Sequence, residues 1–378
     1  MHFLHLTILY SMLIGFNSDT ALESSPASPA KILKSTIANP TTTDDVIPEA
    51  TNLILQSKDG GQTWDDISQG IPKKEQPTGF FAGESDVYLR VKNVMYHSKS
   101  NLKAPVWEKE HALDPGSTSI AFNPSGIKAY NFKGQIYQKT SATETWSPVY
   151  GDFRKRVTGT WLKANTNFEQ PWLRTIIETS DGSIFLGCDD GLYKSANQGQ
   201  SWKHVLKGGW VMDIVESDGV LIGTSQSGII RSTDNGEHWE TVISEGGVGI
   251  AVERIDGGFA AISFNTKSQS RRIRISLDGG KTWEAIDEGL QPNLFLSSVK
   301  VYKSSSSFTP INGLQAKAFI SSIKQMGKYL ICGHPDGILR SPDMGATWNL
   351  VHAGVDEKVF KIYTSGDVLY AVLGYTGC

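Results

Sequence analysis

The sequence predicts an all-β fold, a single ring of four-stranded antiparallel sheets that closes on itself. Three observations predict it. An eight-residue phrase is written five times along the chain. Between its copies lie short apolar runs separated by turn residues, the rhythm of strands rather than helices. And the two ends of the chain read as complementary halves of one such unit.

The phrase is Ser-x-Asp-x-Gly-x-Thr-Trp. Its fixed positions are Ser57, Asp59, Gly61 and Trp64 in the first copy, Ser195, Asn197, Gly199 and Trp202 in the second, and Ser232, Asp234, Gly236 and Trp239 in the third. The fourth copy has Ser276, Asp278, Gly280 and Trp283, and the fifth has Ser341, Asp343, Gly345 and Trp348. Two degenerate copies, SKSNLKAPVW and KTSATETW, end at Trp107 and Trp146. The tryptophans recur at intervals of roughly 40 residues, the length of a four-stranded propeller blade.

One repeat shows the strands. Residues 210–243, WVMDIVESDGVLIGTSQSGIIRSTDNGEHWETVI, hold four short apolar runs. The first two meet at Asp218-Gly219, a hairpin signal, and the last two meet at the octet. Residues 173–206 repeat the order. The chain starts with the second half of a blade, NLILQSKDGGQTWDDIS, and finishes with the first half of one, VFKIYTSGDVLYAVLGYTGC. Joining them removes two unpaired sheet edges. The expectation is therefore a seven-bladed β-propeller, six blades continuous and one composite, with six or eight blades as alternatives.

Each octet has a structural chemistry. Its Asp can accept hydrogen bonds from turn amides, and its Gly can take a positive φ. The Ser and Thr hydroxyls are expected to tie the two strands of the hairpin, and the Trp to bury its ring beside the next blade. These residues resemble the Asp-box, or bacterial neuraminidase repeat, in five good copies and two decayed ones from about Asn52 to the C-terminus. The resemblance implies a propeller and leaves activity open, because Asp-boxes occur in sialidases, xyloglucan-cleaving hydrolases, sortilin-type receptors and the photosystem II assembly factor family. It also implies that Asp59, Asp234, Asp278 and Asp343 are structural and not catalytic. Asn197 in one Asp slot suits a hydrogen-bonding role, and His238 fills a Thr slot.

Upstream of the repeats, the apolar run from Phe3 to Phe16 has the length of a signal-peptide core and is short for a membrane span. The domain reading is a signal peptide over 1–21, a Ser/Thr/Pro-rich linker over 22–50 and the propeller over 51–378, which places the protein outside the cytoplasm, secreted or periplasmic. Cys188 and Cys332 sit in apolar strand-like runs and read as buried thiols; with Cys378 they make no disulfide or metal framework. No metal and no cofactor are expected. A net charge of −3 gives no global field toward nucleic acid. A monomer is expected.

In a propeller, the turns between second and third strands and the connections between blades share one face, opposite the octets. The three longest insertions, 150–172, 264–274 and 287–317, all fall on that face. Binding residues tend to sit on loops held by a rigid scaffold. In each insertion cations outnumber anions, so the face is expected to be basic and to suit a protein partner or an anionic glycan. The candidate binding residues are Arg154, Arg156, Trp161, Trp172, Lys267, Arg271 and Arg272. The tryptophans could stack on a sugar or a partner, or belong to the inner edge of a blade.

Catalytic residues are harder to find. A sialidase of this resemblance would carry an arginine triad, a Tyr–Glu pair, an aspartic acid-base and a Phe/Tyr-Arg-Ile-Pro motif before the first box. The nearest text before Asn52, DDVIPEA, has no Arg. Arg174, Arg231 and Arg254 exist, but Arg231 directly precedes a box. Xyloglucan-cleaving enzymes of this repeat type use two propellers, and this chain holds one. No Ser-His-Asp order or phosphate loop stands out. The reading is an exported, non-catalytic propeller that acts as a protein- or glycan-binding scaffold, with a sialidase-like glycoside hydrolase as the alternative.

Overall fold

The computed structural model describes residues 54–72, 75–100, 102, 105–111, 113, 118–139, 145–150, 172–267, 270–287, 320–355 and 358–375. The expected signal segment and linker, Arg154, Arg156, Trp161 and Cys378 lie outside the described residues. All described residues belong to one compact unit, Pro48–Cys378.

That unit contains seven four-stranded antiparallel sheets. Six are continuous, spanning 77–110, 118–148, 173–207, 211–243, 246–285 and 322–353; these are blades one to six. The seventh is composite: strands Lys358–Ser365 and Val368–Tyr375 from the C-terminal end pair onward with Ile54–Ser57 and Asp65–Asp66 from the N-terminal part. The joint is the ladder between Ile54–Ser57 and Val368–Tyr375, with Leu55 opposite Ala371. The first strand of every blade packs beside the first strands of both neighbours, all the way round. First strands therefore line a central channel, and fourth strands form the rim.

Burial follows that order. The middle strands Ile184–Cys188 and Gly191–Ser195 are buried at every position, because both of their faces are covered by adjacent blades. The rim strands Asp65–Asp66 and Glu108–Glu110 are mostly exposed. Asp218 and Gly219 join the first two strands of blade four with φ of 51° and 73°, the paired positive angles of a tight hairpin turn.

Among the described residues the core divides into seven clusters, and each lies on a seam between two blades. Each box Trp belongs to one of these. Trp239 of blade four packs with Phe185 and Leu192 of blade three, its ring edge-on to Phe185 at 6.3 Å. Trp283 of blade five packs with Ile222 and Ile229 of blade four. The box ring thus sits beside the preceding blade, not the next one as the sequence suggested. The box glycines explain the direction. A Cβ on Gly236 would stand 2.5 Å from Phe185, and one on Gly280 would stand 2.5 Å from Ile222. Both glycines also have φ near +75°, so two independent constraints exclude a side chain there.

Within each octet the polar atoms bond to one another. Ser276 Oγ donates to Asp278 Oδ1 (2.8 Å) and accepts from the Gly280 amide (2.9 Å). The Asp278 carboxylate accepts from the amides of Lys281 and Thr282 and from the Thr282 hydroxyl (2.7 Å). Trp283 Nε1 donates to the Gly280 carbonyl (3.0 Å). The Ser57, Ser232 and Ser341 boxes share the core of this net, the Ser-to-Asp bond and the Gly amide. The hydroxyls therefore close the turn itself and do not tie the two strands together. Asn197 and His238 act as their slots demand: Asn197 Oδ1 accepts from the Ser201 amide (2.9 Å), and His238 Nδ1 meets Asp234 Oδ2 (2.6 Å).

The residue just before the box forms a latch that sequence reading did not anticipate. Gln56 Nε2 donates to the Ser100 carbonyl, Arg231 Nε to the Gly279 carbonyl (2.7 Å) and Arg340 Nε to the Gly60 carbonyl (2.8 Å). Lys194 Nζ reaches Glu237 (2.7 Å). Each acceptor lies in the box turn of the following blade. The Trp points back and the latch points forward, so the seams that carry a latch are held from both sides; Ile275, before the Ser276 box, makes none.

Candidate binding face

The octets and the first-to-second strand turns occupy one face of the ring. The other, the insertion face, carries the second-to-third strand turns and the connections between blades. The box carboxylates can be set aside as acid-base groups. Burial works against ionisation of Asp59, yet bonds from Thr63, Ser57 and Gln62 outweigh it and hold its pKa at about 2. The amide and ring of His238 hold Asp234 low, and the Thr282 hydroxyl and amide hold Asp278 low. A carboxylate used in this way stays charged and has no proton to give.

On the insertion face, Trp172 immediately precedes the first strand of blade three and is 54% exposed; Phe132, in the turn of blade two, is 41% exposed. Their rings meet at 6.0 Å and 39°. Backbone bonds fix the pair: the Leu173 amide donates to the Phe132 carbonyl, and the Asp189 amide to the Trp172 carbonyl. Next to them Arg174 pairs with Asp189. One residue further, Tyr193 donates to Asp190 (2.7 Å) and stacks on His204 with centroids 4.2 Å apart. Desolvation lowers the His204 pKa, so the ring is neutral at physiological pH.

The other described candidates lie around blade five. Lys267 is exposed, and its amide donates to Asn265 Oδ1. Arg271 Nη1 donates to the Ile320 carbonyl (2.9 Å). Arg272 grips Asp287 with two bonds, at 2.6 and 3.1 Å, and Arg274 grips Glu245 with bonds of 2.6 and 3.0 Å. The basic count read from the sequence was too simple here. Two of the guanidiniums are matched by carboxylates on the connections between blades, and that pairing cannot be seen in a charge sum. Sequence reading also missed Phe132 and the Arg174–Asp189 pair, because each joins a turn to a strand start distant in sequence.

The insertion-face turn of blade six holds His334 and Asp336, with Nδ1 and Oδ2 3.3 Å apart. Burial pushes His334 down to about 4 and raises Asp336. Inside the channel, Asp213 is raised by burial to about 6, and burial also raises Glu253, which pairs with Lys324. Among the described residues no group of three or more His, Cys, Asp or Glu side chains could hold a metal ion, and no helix is long and apolar enough to cross a membrane.

Residues 274–285 match the BNR/Asp-box repeat. The chain carries that repeat on a seven-bladed ring. The ring is similar to YCF48 bound to a D1 peptide, with 14% identity and a TM-score of 0.50 over 79% of this chain and 91% of that one. It is similar to an ancestral GH74 enzyme, with 12% identity and a TM-score of 0.52 over 79% of this chain and 48% of that one. It also matches the GH74 xyloglucanase from Xanthomonas campestris, with 16% identity and a TM-score of 0.48 over 77% and 49%. The chain spans about half the length of those two GH74 enzymes. At these identities the likeness is one of fold. No curated protein matches the sequence.

Proposed function

We propose that this protein is an exported propeller that binds a protein or a glycan on its insertion face, without chemistry at the boxes. The observation that carries the reading is the exposed Trp172–Phe132 pair, held by backbone bonds beside the Arg174–Asp189 ion pair. A rigid aromatic surface next to directional charged donors and acceptors suits a sugar ring or a peptide. Lys267 adds positive charge to this face, and the sequence puts Arg154, Arg156 and Trp161, which lie outside the described residues, in another of the insertions; this composition favours an anionic ligand. That YCF48, of the same fold, is seen bound to a peptide supports a binding role. Export rests on the apolar N-terminal run.

The test is capture of partners from the cell envelope by the full chain, run beside a glycan array. Trp172→Ala and the Arg154→Ala/Arg156→Ala pair should each weaken one and the same interaction. Binding unchanged in both would contradict the reading.

A second reading, a sialidase-like glycoside hydrolase, has one observation in its favour. Asp213 and Glu253 are two carboxyl groups with raised pKa values on adjacent channel strands, and glycosidases use such pairs. Turnover of a fluorogenic glycoside that disappears in Asp213→Asn would replace the binding reading with this one.

A further inference from the structure

The charged groups of the central channel belong neither to the boxes nor to the insertion face. Asp213 lies on Val211–Ser217, Glu253 on Gly246–Ile255 and Lys324 on Ser322–Met326. These are the first strands of blades four, five and six, and they pack side by side. All three side chains are partly buried. Lys324 Nζ pairs with Glu253 Oε2, so its charge favours the ionised form of Asp213 only from beyond ion-pair distance. Among the described residues no cation stands within ion-pair distance of it, and its carboxylate receives only the amide of Ile214.

Directly across the strand ladder from Asp213 is Thr224. Cross-strand partners share one face of a sheet, so the hydroxyl and the carboxylate are neighbours. Thr224 is fully buried and its Oγ1 has no hydrogen-bond partner, an omission that costs free energy unless a guest completes it. Tyr130 from blade two feels the Asp213 charge and donates to the Arg174 carbonyl. Met212, the next residue toward the insertion face, is 49% exposed.

An unpaired carboxylate and an unpaired hydroxyl side by side, next to an ammonium–carboxylate pair, call for a guest with positive charge and several N–H donors. We propose that the channel at Asp213 and Thr224 binds a small alkylammonium ion. Its N–H groups donate to the Asp213 carboxylate and the Thr224 hydroxyl, and Glu253 adds to the field. Lys324 is the internal competitor, since it supplies the same chemical group one strand away. A divalent metal suits the site less well, because only two carboxylates are near and Lys324 already holds one of them. The raised pKa values of Asp213 and Glu253 agree with an anionic site short of a cation. The inference does not depend on what the insertion face binds.

The experiment is calorimetric titration of the full chain with n-butylammonium chloride, against potassium chloride and 1-butanol at matched ionic strength. Saturable binding is expected for butylammonium alone. It weakens about tenfold from pH 7.5 to pH 5, as Asp213 takes up its proton. Asp213→Asn abolishes it, Thr224→Val weakens it, and Lys324→Met tightens it by removing the competitor. Absence of saturable binding in the wild-type chain overturns the assignment. So does equal binding of potassium, or binding that survives Asp213→Asn.

Discussion

The two faces of the ring are made from the same kind of element, a short turn between antiparallel strands, yet they use polar side chains differently. On the box face the polar atoms of an octet are largely satisfied within the octet, and what extends beyond it goes to a neighbouring blade. On the insertion face, Arg272 and Arg274 reach carboxylates on separate connections, and Trp172 with Phe132 presents an exposed aromatic surface. Repetition in the sequence therefore marks what holds the ring, and irregularity marks what the ring holds out to solvent. Acidic residues repeated at fixed spacing are misleading as catalytic candidates when their lone pairs are already taken by a turn.

The comparison can be broken most forcefully at a seam. Trp239→Ala removes a ring packed on Phe185 and should cost about 3–5 kcal/mol in denaturant unfolding. A loss below about 1 kcal/mol would deny the box tryptophan its role. A seam of another kind lies between blades two and three, where fully buried Lys128 pairs with Glu178 at 2.9 Å. Glu178→Ala strands the ammonium and should cost about 3–5 kcal/mol, while Lys128→Met combined with Glu178→Leu should recover most of the loss.

Next in size come two pH effects of opposite sign. Burial keeps the Asp213 proton on up to about 6 in the folded state, against 3.8 for a free aspartate. Its contribution to stability therefore falls as pH rises from about 4 to 6 and is flat above. Asp213→Asn should raise stability at pH 7, on the order of 1–3 kcal/mol, and change little at pH 4. His334, held down at about 4 against 6.5, binds fewer protons folded than unfolded between those values. It makes stability fall as pH drops from 6.5 to 4, and His334→Gln should flatten that part of a Tm-against-pH curve.

The latches give a smaller effect. Arg231→Met removes a bond to the Gly279 carbonyl and a pair with Glu240 while keeping an apolar stem, and should cost about 1 kcal/mol. The smallest effect on stability belongs to the insertion face. Trp172→Ala should change unfolding by less than about 0.5 kcal/mol while weakening binding.

Nearly all of the fold was legible in the sequence. The octets fixed where third and fourth strands meet, Asp218-Gly219 fixed a first hairpin, and the half-blades at the ends announced the composite sheet. These signals are local, and a repeated local signal is reinforced at every copy. The direction in which Trp239 packs was not legible, because the two seams beside a blade look alike until Gly236 is found pressed against Phe185. The Arg231 latch was hidden for a similar reason: its acceptor is a main-chain carbonyl in another repeat. The site was less legible still. Trp172 could be named as a candidate from its insertion, but Phe132 lies in another blade. The pairing of Arg272 with Asp287 joins a strand to the connection that leaves the same blade, and the lack of an ion pair at Asp213 depends on how the blades come together around the ring.

The central claim is that the octets hold the ring while the insertion face does the binding. The most direct test is to measure thermal unfolding and ligand binding side by side for Asp278→Ala and Trp172→Ala. The account predicts that Asp278→Ala lowers Tm yet leaves affinity unchanged in the folded protein, and that Trp172→Ala leaves Tm unchanged yet loses affinity. The reverse pattern, with Trp172→Ala unfolding the ring or Asp278→Ala abolishing binding by a folded protein, would contradict it.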